Sequence, residues 1–460
     1  MLNGIWLGLL LVAVALGALT GQLPEVTKAG FEGCKTAVMN LALPLAGIMA
    51  LWLGIMRLAE KSGAVGQLAK FLRPVLVWIF PDVPAKHPAM GSMVMNMAAN
   101  MLGLANAATP LGLRAMQDLE KLNPRPGVAS NAMCTFLALN TSSVQLIPAT
   151  AVAILAANGS VQPTAIIGTA LFATTCSTIV GLTAVKFFER LPMFRLPPLA
   201  PPNDTETTAT TEEPTATLEE PPKMGPWGSF AVWGALAGFV ALFWGMTFFS
   251  ARFTEMADGI RTALAIGEGP FSFSEDWELK HPIARGVEVI SLLAIPFFLT
   301  IFPLYAAARR VPVYEEFVEG AKEGFQVAVR IIPFLVAILA AIGMFRAAGG
   351  IDLLARLLSP IMQPLHAPAE LLPLIFMRPL SGGGSLGIFS ELVTTHGADS
   401  LIARMAGTIM GSTETTFYVL AVYFGSVAIR KTRHAVPAGL LADLAGVIAA
   451  ITICNIVFAR

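Results

Sequence analysis

The sequence predicts an all-α polytopic membrane protein made of two related halves. Three observations predict it: the composition, a series of long uncharged stretches, and motifs that occur twice in the same order. Of 460 residues, 55% are hydrophobic and 13% charged, about half the charged share of an ordinary soluble domain. A mean hydropathy of +0.68 leaves more apolar surface than soluble cores of this size can hide, so lipid must solvate much of it. The 30 basic and 30 acidic residues cancel, so the chain has no electrostatic footprint for nucleic acid.

Taken in order, residues 1–24 are uncharged. Without a Lys/Arg segment ahead of the apolar run they read as a first spanning helix rather than a cleaved signal. Stretches 36–56 and 88–113 follow. The run 126–185 is long enough for two spans, with Asn158-Gly159-Ser160 as the turn between them. Stretches 224–251, 289–308, 331–345, 372–390, 405–429 and 435–459 complete the series. Segments 26–36 and 313–325 are amphipathic and are expected to lie along the membrane surface. Between 197 and 226 the composition turns to Pro, Thr and Glu, a linker too polar to bury. It divides the chain into membrane units 1–196 and 227–460.

The two units share motifs. Phe31-Glu32-Gly33-Cys34-Lys35 and Val318-Glu319-Gly320-Ala321-Lys322 each precede an apolar span. Met56-Arg57-Leu58-Ala59 matches Phe345-Arg346-Ala347-Ala348, and Asn140-Thr141-Ser142-Ser143 matches Ser412-Thr413-Glu414-Thr415. Repeats of this kind point to a transporter-like architecture. Charge then orients them. Lys186, Arg190, Arg195, Arg309 and Arg310 place the linker side in the cytoplasm, and the acidic segment 268–278 outside. The basic segment 57–86 belongs inside and its balanced counterpart 346–370 outside. Arg430, Lys431 and Arg433 belong inside, opposite the uncharged turn at Asn158-Gly159-Ser160. Matched elements fall on opposite sides, which predicts inverted topology. For the spans to close, 88–113 and 372–390 must each enter and leave on one side, as re-entrant hairpins.

The same residues carry a resemblance. The first unit, with HPAMGSMVMNMAANMLGLANAATPLGLRAM and FLALNTSSVQLIP, resembles the bacterial spore maturation protein A family. The second, with VPVYEEFVEGAKEGFQVAVRIIPFLV, MRPLSGGGSLGI, ELVTTHG and GSTETTFYVLAVYFGSV, resembles the spore maturation protein B family. The chain thus looks like a fusion of the two. Both resemble the gate, or nucleoside recognition, domain, which is related to those of concentrative nucleoside transporters and of the membrane part of ferrous iron transporter B. The resemblance implies two gate-type repeats in the bacterial cytoplasmic (inner) membrane. It also implies movement of a small solute, linked in sporulating bacteria to dehydration of the spore core.

Polar side chains are costly in hydrocarbon, so those inside apolar stretches are the candidate site. The first unit offers Asn96, Asn100, Asn106 and Thr109, with Asn96 and Asn100 on one helical face. Such residues either contact a solute or join helices at ~0.6 kcal/mol per bond. Asn140, Thr141, Ser142 and Ser143, and their counterparts Ser412, Thr413, Glu414 and Thr415, lie mid-span and read as helices that stop and restart. A restarted helix aims free N–H groups into the membrane, which suits an anionic or carboxyl-bearing solute. Arg378, Ser381, Gly383 and Ser385 belong to a Gly-rich segment expected to form a hairpin tip with an anion-binding nest. Arg378 is expected to be compensated by Glu414 or Glu391, by water or by a solute anion, either in a structural ion pair or as part of a solute site.

Catalysis and cofactors are not indicated. Cys34, Cys134, Cys176 and Cys454 form no CxxC pair, and the five histidines supply no HExxH. Apart from Asp443, no intramembrane Asp or His stands in plausible pairing with a nucleophile. The expected function is a secondary transporter of a small polar solute, anionic or nucleoside-like. A non-transporting assembly or scaffold protein is the alternative, and a membrane-embedded enzyme stands behind both. The expected partners are the lipid bilayer, a small-molecule solute and a coupling ion, proton or sodium, with self-association into a homo-oligomer as a further option.

Overall fold

The computed structural model describes residues 2–103, 105–194, 224–264, 277, 282–350, 353, 356 and 367–458, and its regular elements are helices. The linker up to 223, the acidic segment 268–278 apart from Trp277, and most of 351–366 lie outside the described residues. Among the described residues, six helical stretches are long and apolar enough to cross a bilayer: Leu23–Lys61, Pro163–Arg190, Pro226–Phe248, Arg285–Ala308, Val313–Ala347 and Ala435–Phe458. The chain is therefore a multi-span membrane protein.

Helix α1 (Leu2–Thr20) turns at Gly21, where φ of +74° suits a residue without Cβ, into α2 (Leu23–Lys35). Through a π-helical segment, Thr36–Ala42, α2 continues into α3 (Leu43–Lys61). Next come α4 (Ala64–Ile79) and a helical hairpin, α5 (Pro88–Met101) and α6 (Ala105–Lys121). An interrupted helix follows as α7 (Asn131–Ser142) and α8 (Ala149–Ala157), and α9 (Ile166–Arg190) closes the unit. Between the units stand α10 (Pro226–Phe248), α11 (Ser250–Leu264) and α12 (Pro282–Ala308). The second unit runs α13 (Val313–Ala347), the hairpin α14 (Leu372–Met377) and α15 (Gly382–His396), the interrupted α16 (Leu401–Ser412) and α17 (Thr416–Ser426), and α18 (Ala435–Phe458). Long helix, hairpin, interrupted helix and long helix thus occur twice in one order. The half-helices α7 and α8, of 12 and 9 residues, reach about 18 and 14 Å, each roughly half of a ~30 Å hydrocarbon core.

Two antiparallel pairs tie the units together. Along α2–α3 and α13, Gly33 lies against the backbone of Leu339 and Ala340, Gly320 against that of Leu53 and Gly54, and Gly324 against that of Met49 and Ala50. Numbers rise on one helix as they fall on the other, and small residues let the backbones touch. Arg57 closes one end, 2.8 Å from Glu316 and 2.7 Å from Glu323. This corrects the expectation of surface helices. Segment 26–36 belongs to a continuous 39-residue helical stretch and 313–325 to a 35-residue one. Their small residues pack on each other, and two of the acidic residues that make 313–325 amphipathic face Arg57. In the other pair, the Ser177 hydroxyl on α9 donates to the Ala442 carbonyl on α18 at 2.8 Å, and Gly181 abuts Ala442. Helix α12 packs on both pairs, its Ser291 hydroxyl accepting from Gly168 N–H at 2.9 Å and its Phe298 ring 5.9 Å from Trp52. On α10, Trp227, Phe230 and Trp233 stay exposed, as lipid-facing side chains would.

The connecting loops meet in crossed fashion. At one end, the loop after α6 lies beside the loop after α17: Ala129 N–H donates to Lys431 O at 3.0 Å and Arg430 N–H to Gly127 O at 2.9 Å. Arg433 there donates to the Phe194 carbonyl and to Asn131. At the other end, the loop after α8 lies beside the loop after α15, with the Ser160 hydroxyl 2.7 Å and Val161 N–H 2.8 Å from Asp399. Burial pushes the Asp399 carboxyl up, but these donors and Arg404 outweigh it and hold the group below the usual carboxylate range.

The backbone contact between α3 and α13 is directly testable. A Cβ on Gly324 would stand 2.5 Å from Met49 O, whereas one on Gly47 meets nothing within 4 Å. Gly324→Ala should cost about 1–3 kcal/mol and lower the melting temperature of the purified protein, while Gly47→Ala should leave it unchanged.

Candidate functional site

Both interrupted helices stop where small hydroxyl residues compete with the helix ladder. On α7, Ser142 bonds back to Leu139 O, Ser143 takes φ of +26°, and the chain stays non-helical until Pro148 precedes α8. On α16, the Ser412 hydroxyl bonds back to Ile409 O at 2.8 Å, and Thr413 turns extended at φ −149°. Helix α17 then restarts at Thr416.

The two breaks touch. Glu414 N–H donates to the Thr141 carbonyl at 2.7 Å, a backbone bond from one unit to the other. The Gln145 amide donates to Glu414 Oε1 at 2.7 Å. The Thr174 hydroxyl on α9 reaches the carbonyls of Ser142 and Ser143 at 2.7 and 2.9 Å. On α18, Asp443 accepts from the Thr416 hydroxyl through Oδ2 at 2.5 Å.

Each hairpin tip meets the break of its own unit. In the first, Leu146 N–H donates to Met101 O at 3.0 Å and Asn100 to Asn140 at 2.8 Å. In the second, Phe417 N–H donates to Pro379 O at 3.0 Å, and Arg378 donates to Thr415 at 3.2 Å and to Met410 O at 3.0 Å. Tyr423 on α17 crosses between the units: its hydroxyl donates to Asn140 Oδ1 at 3.3 Å and accepts from Asn96 at 3.4 Å. Its ring stacks on Phe136, and Gly112 on α6 leaves it space.

The structure thus brings together Asn96, Asn100, Asn140, Thr141, Ser142 and Ser143 with Arg378, Ser412, Thr413, Glu414 and Thr415. Thr109 is half-buried on α6, and the side chain of Asn106 lies outside the described residues. Two expectations are corrected. The turn of the second hairpin is Arg378-Pro379-Leu380, and Gly382, Gly383 and Gly384 open α15 instead, with no positive φ among them. Ser381 caps that helix, accepting from Gly384 N–H at 3.0 Å, and Ser385 bonds back to Ser381 O. The glycines serve close approach, because a Cβ on Gly383 would stand 3.0 Å from Phe334 and one on Gly384 2.9 Å from Met377. Glu391 is engaged elsewhere, 2.6 Å from Arg346. Among the described residues no carboxylate lies within 4 Å of Arg378, so the expected contact pair with Glu414 or Glu391 is replaced by neutral oxygens. At longer range Arg378 is acted on by both Glu414 and Asp443.

Sequence reasoning left Gln145, Thr174, Tyr423 and Asp443 out of the site. Asp443 carried a usable signal, as the one charged residue of a 24-residue helix. Several junction atoms have no hydrogen-bond partner in the protein: the hydroxyls of Thr141 and Ser143, Oδ1 of Asn96 and Nε of Arg378. Groups of this kind, buried without partners, cost about 1–3 kcal/mol each.

Tyr423→Phe should lose about 1 kcal/mol through its two bonds. Gly112→Ala should cost more, since its Cβ would stand 2.4 Å from the Tyr423 oxygen. Thermal melts of the two variants, with the order of destabilisation as the readout, check this.

Comparison with known proteins gives three matches. The Gate family, described as nucleoside recognition, matches residues 42–158 and 328–430. Spore maturation protein B of Bacillus subtilis is 47% identical over 169 residues, 37% of this chain and 95% of that protein. Spore maturation protein A of the same organism is 40% identical over 188 residues, 41% of this chain and 95% of that protein.

Proposed function

Because the chain belongs to the family of spore maturation proteins A and B, with the Gate nucleoside recognition domain in two copies in one polypeptide, we propose that it is a secondary transporter. On this reading a small polar solute binds where the two helix breaks meet. The observation that carries it is the backbone bond from Glu414 N–H to Thr141 O, which joins two interrupted helices contributed by different units. Interrupted helices meeting at the interface of two repeats are the arrangement by which secondary transporters form a midplane site.

The repeats are read as inverted. Support comes from the antiparallel packing of α3 on α13 and from the crossed loops, in which the loop after α6 lies beside the loop after α17 and the loop after α15 beside the loop after α8. The first of these ends carries Arg125, Arg430, Lys431 and Arg433 and the second Asp399, so the first is assigned to the cytoplasm of a bacterial inner membrane. The hairpins α5–α6 and α14–α15 are read as re-entrant, with their tips at the breaks.

The solute class follows from the donors. The hydroxyls of Thr141 and Ser143 and Oδ1 of Asn96 are buried without partners, beside the bonded amides of Asn100 and Asn140 and the stacked pair Phe136 and Tyr423. Such groups suit a base and a sugar, in keeping with the description of the Gate domain. One guanidinium stands against two carboxylates, Glu414 and Asp443, which favours a neutral solute over the anion expected from the helix dipoles. No catalytic step is part of this reading. A purely scaffolding role would give no use to buried hydroxyls without partners.

Uptake of labelled nucleosides into proteoliposomes tests it. Saturable uptake is expected, reduced at least tenfold in Asn140→Ala and Thr141→Val, and folded protein that moves no nucleoside or nucleobase would contradict it. Orientation is tested separately with single cysteines in a cysteine-free background. Val161→Cys should label from outside the cell and Arg430→Cys only after permeabilisation, and labelling of both from one side would contradict inversion.

A further inference from the structure

We propose that Asp443 and the hydroxyls around it form a site for one desolvated alkali-metal cation, seated where α18 passes the break between α16 and α17. The inference rests on reading the junction as the transport site, and adds to it a bound ion with a place and ligands.

The first ground is a substitution between matching positions. Thr174 is the ninth residue of α9 and Asp443 the ninth of α18. Thr174 donates its proton to the carbonyls of Ser142 and Ser143 and so closes the first break with neutral bonds. At the matching place beside the second break the chain puts a carboxylate, which when ionised has no proton to give. It accepts from the Thr416 hydroxyl at 2.5 Å, and the Thr413 hydroxyl turns to it as well, so neutral hydroxyls are its hydrogen-bond donors. An acceptor in place of a donor, facing a break rich in oxygen, calls for a positive ligand between them.

The second ground is the set of oxygens. Gly439, Asp443 and Gly446 share one face of α18. Gly439 lies against Thr416 and Thr141, and Gly446 against Thr413 and Ser412, so the bare backbone on either side of Asp443 brings both breaks up to it. The Thr141 hydroxyl lacks a hydrogen-bond partner, that of Thr413 turns to the Asp443 carboxyl, and with Asp443 both are at most 4% exposed. Carboxylate and hydroxyl oxygens are the ligands of hard cations. Among the described residues no three of His, Cys, Asp or Glu gather as a transition-metal site would need.

The third ground is charge. The charged groups acting on Asp443 are Arg378, from the hairpin tip, and Glu414, from the break. Burial makes an ionised Asp443 costly, and with Glu414 also charged one guanidinium against two carboxylates leaves a net charge of −1 in a low-dielectric setting. One monovalent cation neutralises it, whereas a divalent ion would reverse it.

Melting of the purified full-length protein, without solute, in Li+, Na+, K+ or N-methyl-D-glucamine chloride at equal ionic strength tests the site. At least one alkali cation should raise the melting temperature saturably above N-methyl-D-glucamine, as expected when a ligand binds the native state. Asp443→Asn should abolish that rise, and Asp399→Asn, at the end of the molecule, should retain it. If Asp443→Asn does not fold, Thr413→Val reads the same site: its half-saturating cation concentration should rise at least threefold, and an unchanged value would overturn the proposal. Equal melting in all four salts, or a full response in Asp443→Asn, would also overturn it. Since these melts need neither solute nor flux, they separate the two readings. Cation-independent uptake with no melting response removes the cation site alone, and a melting response without nucleoside uptake upholds it while removing the solute reading.

Discussion

Backbone and hydroxyl groups released where a helix stops inside hydrocarbon need partners that lipid cannot supply. In this protein each interruption is met by the other half of the chain. Glu414 N–H, freed where α16 ends, is taken by the carbonyl of Thr141 at the end of α7, and Gln145 of the first break holds the Glu414 carboxylate. The arrangement of the long helices, the hairpin tips and the loops follows from bringing these two weak points together.

Small residues make that approach possible. Gly33, Gly320 and Gly324 let α2–α3 and α13 pack backbone to backbone, and Gly439 and Gly446 let the side chains of the breaks close on α18. The hairpins complete the junction with equivalent backbone bonds, Leu146 to Met101 and Phe417 to Pro379. Against this symmetry, two differences stand out. The first break is the longer, and the position filled by neutral Thr174 on α9 is filled by Asp443 on α18. A fused pair of unlike halves can divide labour in this way, one half closing its break with hydrogen bonds and the other keeping a charge in reserve.

Much of this was legible in the sequence, and the failures have physical causes. Uncharged runs located the spans because a charge in hydrocarbon is costly, and Asn140 to Ser143 and Ser412 to Thr415 marked the breaks because such side chains compete with helix bonds. Amphipathic periodicity in 26–36 and 313–325 could not distinguish a membrane surface from a partner helix, since both offer an apolar and a polar side. Three glycines at 382–384 suit a sharp turn or a close contact equally well, and only the position of Phe334 decides for contact. Pairing of Arg378 with Glu391 was unreadable because the claim of Arg346 on Glu391 depends on tertiary packing.

The meeting of the two breaks is tested most directly by cross-linking in native membranes. In a cysteine-free background, Gln145→Cys with Glu414→Cys should form an intramolecular cross-link under mild oxidation, as should Ser160→Cys with Asp399→Cys at the loop contact. Efficient linking of the loop pair with none between positions 145 and 414 would contradict a shared junction.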